Sequence, residues 1–462
     1  MSDAERAIIR THVVPLLLTE SDSSIRTIIA DVIRGVCEYD YPDKWPSLLS
    51  ELLAAVKTAN SNVLQMFNAL LALRKIVKRY EYKTKEHRDP LDVIISEAFP
   101  ILQELMQTII ANNSLEAAQV MRVCLKIFYS ATMYALPLVA GVDTNLWFSA
   151  LAHIIAKPLP EAAEPGAEPP GQPEGVEDRK QWPWWKLKKW ALRLACLFIQ
   201  RYGNPRFTDY KEFATYFRGE VAMALLQSVM SLLSQKIAGA FLTEDAHRQA
   251  LAYVSSCVEM SPTYKVLKPH LSTLLFQIVF PAICISSEDA RLLKDDPQEF
   301  IRKVHDPMED WLSATTAATN LLQTLARYRQ KDTLHMFLRF IYGLLTTYAA
   351  AAPEQRNYEH KDGVLTAMAT LYKVSCLSSR LRMLQASGRR VCAVGPLIRR
   401  RLSVIRHQLP PLLTARLVGA NHRSPTADKR FALDEKCPSA SAHTPAPSPP
   451  GRLVINIASA VY

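Results

Sequence analysis

Apolar residues in this chain recur at the period of an α-helix, and no block of strand-period alternation interrupts them. Ile25, Ile28, Ile29, Val32, Ile33 and Val36 fall at i, i+3, i+4, i+7, i+8 and i+11, a stripe that must pack on another helix. Pro42 then breaks the pattern within CEYDYPDKWPSLL, and it restarts after Asp43 or at Pro46, since Pro suits a first helical turn. Leu48, Leu49, Leu52 and Leu53 supply the second apolar face. The unit is helix, short Pro-containing turn, helix. It recurs at Leu64–Arg79, Pro90–Ala111, Ala117–Leu136, Trp184–Tyr202, Tyr216–Ile237, Ala246–Met260, Leu267–Ile285, Ser313–Tyr328 and Thr333–Ala350. Serial helix pairs define an all-α fold, a HEAT or armadillo-like α-solenoid of antiparallel pairs with a repeat of about 40 to 47 residues. With 462 residues the chain exceeds what one hydrophobic core organises, and its 14 glycines are too few for a many-stranded sheet.

Two segments depart from this pattern. Residues 157–180, KPLPEAAEPGAEPPGQPEGVEDRK, replace nearly every large apolar residue with Pro, Gly, Ala and Glu, which predicts a disordered insert. Its acids Glu161, Glu164, Glu168, Glu174, Glu177 and Asp178 suit either a solvated linker or a loop that attracts a basic partner over long range. From Val374 helical periodicity fades, and residues 373–462 hold fifteen Lys and Arg against Asp428, Asp434 and Glu435. The net charge of +11 therefore belongs to this tail, and the remainder is close to neutral. Its low-complexity Arg, Pro and Ser runs, with Arg389, Arg390 and Arg399 to Arg401, predict a disordered basic tail that is not repeat sequence. The expected organisation is HEAT repeats over 1–156, the acidic insert over 157–180, further repeats over 181–372 and the basic tail over 373–462.

Composition and motifs argue against catalysis. The eight cysteines are scattered singly without metal-ligand spacing and read as small core residues in a reducing compartment. The start lacks a signal-peptide apolar region, and the longest apolar stretch, Leu271 to Ile285, is shorter than a membrane span, so a soluble cytosolic or nuclear protein is expected. His87, Arg88 and Asp89 spell a kinase-loop tripeptide, but Ile94 stands where the magnesium-binding Asn would be needed. His360, Lys361 and Asp362 lack the spacing of a catalytic set, and Asp362 is expected to cap a helix. No phosphate-binding loop or zinc-protease motif is present, so no catalytic residue, metal ligand or cofactor is assigned and the chain is not expected to be an enzyme.

The segment after the insert, QWPWWKLKKWALRLACLFIQRYGNP, carries Pro183, Trp184, Trp185, Lys186, Lys188, Lys189 and Trp190. Its tryptophans are expected to anchor the returning chain, with the lysines on a solvated helix face. A base-stacking platform is the weaker alternative. This PWWK-x-KKWA string, ending in Arg201, Tyr202 and Gly203, resembles the importin-β family receptors of the importin seven and eight type, in which such a segment follows an acidic insert. HDPMEDWLSATTAATNLL, LKPH, YEYKTKEHRDPL and YPDKWPSLL agree with the family in order, and the resemblance runs from Ala4 to Leu371. It implies a HEAT-repeat karyopherin for nuclear import that binds basic protein cargo, the small GTPase Ran and nucleoporins. It also implies residence in cytoplasm and nucleus and at the nuclear pore. The first part of the family's N-terminal Ran-binding arch and its later repeats are not matched, so a central portion of a receptor is expected. The competing expectation is a HEAT scaffold for protein assembly without Ran. Membrane association is not expected, and nucleic-acid binding would have to come from the tail.

Overall fold

A computed structural model describes residues 3–57, 62–83, 87–136, 143–159, 171–204, 209–306 and 313–386, with the side chains of residues 305 and 373–386 excluded. The described residues form helices and turns and no strand. They divide into two compact units, Met1–Leu271 and Ser272–Tyr462.

The first unit contains helices α1 (Asp3–Thr19), α2 (Ser23–Asp40), α3 (Leu48–Lys57), α4 (Val63–Arg79), α5 (Asp89–Ile109), α6 (Leu115–Thr132), α7 (Thr144–Ala156), α8 (Val176–Gln181), α9 (Pro183–Leu197), α10 (Lys211–Tyr216), α11 (Ala222–Ile237), α12 (Glu244–Glu259) and α13 (Ser261–Leu267). Helices pair as α1 with α2, α3 with α4, α5 with α6, α7 with α9 and α11 with α12. The second members, α2, α4, α6, α9 and α12, touch in succession and form one layer, and the first members form the other. Polar side chains at the N-caps start several of them: Asp22 accepts from Ser24 N and Ile25 N, and Asn62, Ser114 and Asp143 do the same for α4, α6 and α7. Helix α6 is buried on nearly every side because α4 and α9 flank it in its layer while α5 covers its back. Its Val120, Met121, Leu125 and Phe128 each contribute about 1.5 to 3 kcal/mol of burial.

The repeat length shows directly in the polar contacts between neighbouring pairs. Arg26 to Asn68, Lys75 to Asp31, Arg79 to the Cys37 carbonyl, Arg88 to the Ala131 carbonyl and Gln103 to the Asp143 carbonyl join residues 40 to 44 apart. Arg88, the centre of the kinase-like tripeptide, is thus a buried tie from the start of α5 to the end of α6. Its guanidinium stands 2.7 Å from the Ala131 carbonyl.

The α2 stripe is only half covered. Ile29 and Ile33 are buried, while Ile25, Ile28 and Val32 remain exposed, because α1 and α4 pack against the Ile29 and Ile33 side of α2.

In the second unit, the run Leu274–Ile283 lies among helices Ala314–Tyr328, Gln330–Ala350 and Tyr358–Ala386. Leu274, Leu275, Val279, Leu321, Leu325, Phe337 and Ile341 form its core. Helices Ser287–Asp295 and Pro297–His305 precede these last three. By length and composition the stretch Ser261–Asp295, which holds an 18-residue window of mean hydropathy 1.5, is sufficient to cross a membrane, contrary to the expectation from sequence. Its backbone turns extended at Cys284, however, and Leu274, Leu275, Ile278 and Val279 are core residues.

Three expectations change here. Asn357, not Asp362, caps the last helix: its side chain accepts from His360 N at 2.8 Å, and Asp362 sits buried one turn further in. The helix Tyr358–Ala386 also crosses the boundary expected after Tyr372, and the rest of the tail, with Arg389, Arg390 and Arg399 to Arg401, lies outside the described residues. Within the acidic insert, residues 171–180 are ordered enough to form α8 and bury Gln172, although composition predicted disorder throughout. Four of the cysteines, Cys37, Cys124, Cys196 and Cys257, are buried, and burial pushes the first three thiols up to about 12.

Candidate partner-binding site at the roots of the acidic insert

Helix α7 ends at Ala156 and the chain leaves it through Lys157, returning through α8 into α9 at Pro183. A helix C-terminus leaves its last carbonyls without intrahelical donors. Here α9 and α11 supply them. The Lys188 ammonium donates to the carbonyls of Ile154 (2.9 Å), Ile155 (2.8 Å) and Lys157 (2.5 Å), and Gln235 Nε2 donates to Ala156 O at 2.9 Å. Lys188 is fully buried, so its three N–H donors are matched by three acceptors at the negative end of a helix dipole. Burial, reinforced by the neighbouring Lys157 charge, lowers Lys188 to about 7.

The tryptophans hold both roots. Trp184 packs its ring 4.2 Å from Lys157 Nζ and donates from Nε1 to the Asn113 carbonyl at 3.3 Å, while Lys157 Nζ bonds the Asn113 side chain. Trp185 Nε1 donates to Gln172 Oε1 at 2.8 Å and stands edge-on to Phe241, whose ring also carries Arg179. Outgoing root, returning root and α9 are thereby fixed to each other by one five-residue stretch, Trp184 to Lys188. Pro183 occupies the first turn of α9, where its missing N–H costs nothing. Trp184 and Trp185, expected to anchor the returning chain, contact the two roots. The expectation of solvated lysines fails at Lys188, and Lys186 and Lys189 are half-buried, Lys189 in an ion pair with Asp245. Helical spacing carried the missed signal, since Lys188 shares its face with Trp184, Ala191 and Ala195, all buried.

The motif's end is equally constrained. Beyond α9 the helix widens to a π-turn over Phe198–Tyr202, Tyr202 Oη donates to the Thr132 carbonyl, and Arg201 stacks 4.9 Å over Tyr134. A Cβ on Gly203 would meet the Ile199 carbonyl oxygen at 2.5 Å, so only glycine fits there.

Of the acids, Glu174, Glu177 and Asp178 are exposed beside the returning root, with Glu177 2.6 Å from Lys180, and Glu161, Glu164 and Glu168 lie outside the described residues. Among the described residues no group of three His, Cys, Asp or Glu side chains is placed to hold a metal ion.

Helix pairs stacked in two layers define an α-solenoid, here with both roots of an acidic insert fixed to it. A family model described as Cse1 matches residues 76–379. The chain therefore belongs to the importin-β family of karyopherins, in its Cse1-like group. It is 32% identical over 374 residues to the importin beta-like SAD2 homolog of Arabidopsis thaliana, covering 80% of this chain and 35% of that protein. Importin-8 of Homo sapiens is 30% identical over 380 residues, with 80% and 34% covered, and exportin-2 of Drosophila melanogaster 24% identical, with 75% and 34% covered. The exportin Cse1 in its cargo-free, cytoplasmic state superposes with a TM-score of 0.61 at 16% identity, over 80% of this chain and 38% of that one, a likeness of fold. The chain spans about a third of the length of the curated relatives it matches.

Proposed function

We propose that this chain acts in nuclear transport as the cargo- and Ran-binding solenoid of a karyopherin, shuttling between cytoplasm and nucleus through the pore and working by binding alone. The observation that carries this is the family match over residues 76–379, most of the helical body. The fixed roots of the acidic insert support it: Glu174, Glu177 and Asp178 are held at the surface by an anchored frame, and acids held at one place attract a basic partner over about a Debye length. Glu161, Glu164 and Glu168 extend the same charge along the insert. In this reading the insert engages basic cargo or Ran, nucleoporins bind elsewhere on the helices, and the PWWK-x-KKWA residues position the insert. Titration of the chain with Ran locked in its GTP form and with Ran bound to GDP tests it. Preference for the GTP form by about tenfold or more supports a transport receptor. Equal binding of the two forms, or none, favours the HEAT scaffold.

A further inference from the structure

The first unit carries a second charged surface of the opposite sign. Arg74 and Lys78 on α4, and Arg122 and Lys126 on α6, are each spaced by four residues, and Lys186 and Arg193 on α9 by seven, so each helix presents its cations on one face. These three helices are successive neighbours in the second-member layer. The cations are mutually close: Arg74, Arg122, Lys186 and Lys78 all repel the charge on Lys126, and Arg122 also opposes that on Lys186. Burial first, and then those four cations, lower Lys126 to about 7. Two acids, Asp31 and Glu81, attract the charge on Arg74, whereas the charges that act on Arg122, Lys126 and Lys186 are all cations. Asp31 pairs with Lys75 at 2.7 Å and Arg34 at 3.2 Å, and Glu81 accepts from Ser130 at 3.0 Å. The Arg122 Nε is buried without a hydrogen-bond partner. At the centre Trp190 lies between Lys126 (5.2 Å) and Arg193 (4.9 Å), with Tyr129 edge-on at 5.3 Å.

Like charges gathered on a half-buried surface are unfavourable until an anion neutralises them. We propose that this ledge of Arg74, Lys78, Arg122, Lys126, Lys186 and Arg193 is a docking site for an acidic peptide segment of a partner protein. The form of the ledge favours a peptide over a nucleic acid. Four of its six cations, Arg74, Arg122, Lys126 and Lys186, are half-buried, which suits a carboxylate carried on its own side chain better than a continuous phosphodiester backbone. It is also short, ending at Asp31 on α2 and at the Lys189–Asp245 pair that joins α9 to α12. Trp190, half-buried between Lys126 and Arg193, adds an aromatic side chain against which the peptide's aliphatic stems can pack. This inference does not depend on the transport reading, since its test contains no Ran.

The test is fluorescence anisotropy of the full chain with a fluorescein-labelled peptide of alternating Glu and Asp, beside labelled oligolysine and a single-stranded RNA of equal charge. Wild type is expected to bind the acidic peptide with an affinity that falls as salt rises. The R122Q/K126Q/K186Q variant is expected to bind it about tenfold more weakly or less. The R327Q/K331Q variant, which removes two exposed cations of the second unit, should bind as wild type does. Should the triple variant fail to melt cooperatively, K78Q/R193Q, at two exposed positions, is expected to lose about threefold. Unchanged affinity in the folded ledge variants, absence of wild-type binding, or tighter binding of the RNA than of the peptide would overturn the proposal.

Discussion

The Lys188 ammonium lies 2.5 Å from the backbone carbonyl of Lys157, although 31 positions and the whole acidic insert separate the two residues. Replacing Lys188 with Met removes the donors and leaves the carbonyls of Ile154, Ile155 and Lys157 buried and unsatisfied at the end of α7. The expected cost is about 3 kcal/mol in urea unfolding, with hydrogen exchange at 153–157 and 171–182 rising more than exchange within α4.

The same lysine sets a pH dependence. Burial lowers it from 10.5 to about 7 in the folded chain, so between those values the unfolded chain binds a proton that the folded chain does not. Unfolding free energy therefore gains from this group as pH rises from 7 towards 10.5, and the gain is lost as pH falls through 7. The stability gap between wild type and K188M is expected to widen across that window, measured by denaturant midpoints at matched pH.

Gly203 to Ala drives a methyl group against the Ile199 carbonyl oxygen, a backbone atom that cannot swing aside. A loss of about 2 kcal/mol is expected. Gly219, where an added Cβ meets nothing within 4 Å, serves as the control and should tolerate alanine.

Ile28 and Val32 expose apolar surface along α2, next to Ile25. Changing both to Lys should lower concentration-dependent self-association in sedimentation velocity while moving the melting temperature little, since the buried side of α2, Ile29 and Ile33, is untouched.

Much of the body was legible because helical periodicity is a property of local sequence. The run expected at Leu64–Arg79 is α4 to within a residue, and Trp184–Tyr202 is α9 with its π-turn to within a residue. Helix α7 was missed between two breaks, as were Ser287–Asp295 and Pro297–His305, whose charged residues hide the apolar period. The site was half legible. Tryptophans behind a Pro-rich insert announce an anchor, but the partners of Lys188 lie on α7, the previous first-layer helix, and sequence spacing does not show that distance in space. The basic ledge was invisible for the same reason, as Lys126 and Lys186 are 60 positions apart in sequence and meet only after the repeats stack. Gln172 misled through composition: one buried amide bonded to Trp185 orders a stretch that its Pro and Gly content assigns to disorder.

The central proposal, that basic cargo and Ran both engage the acidic insert, means that the two compete for it. Its most direct measurement immobilises the chain, loads a fluorescent histone as basic cargo, and follows release on adding Ran locked with GTP or bound to GDP. The account predicts release by the GTP form alone. Histone that stays bound under both forms would contradict it.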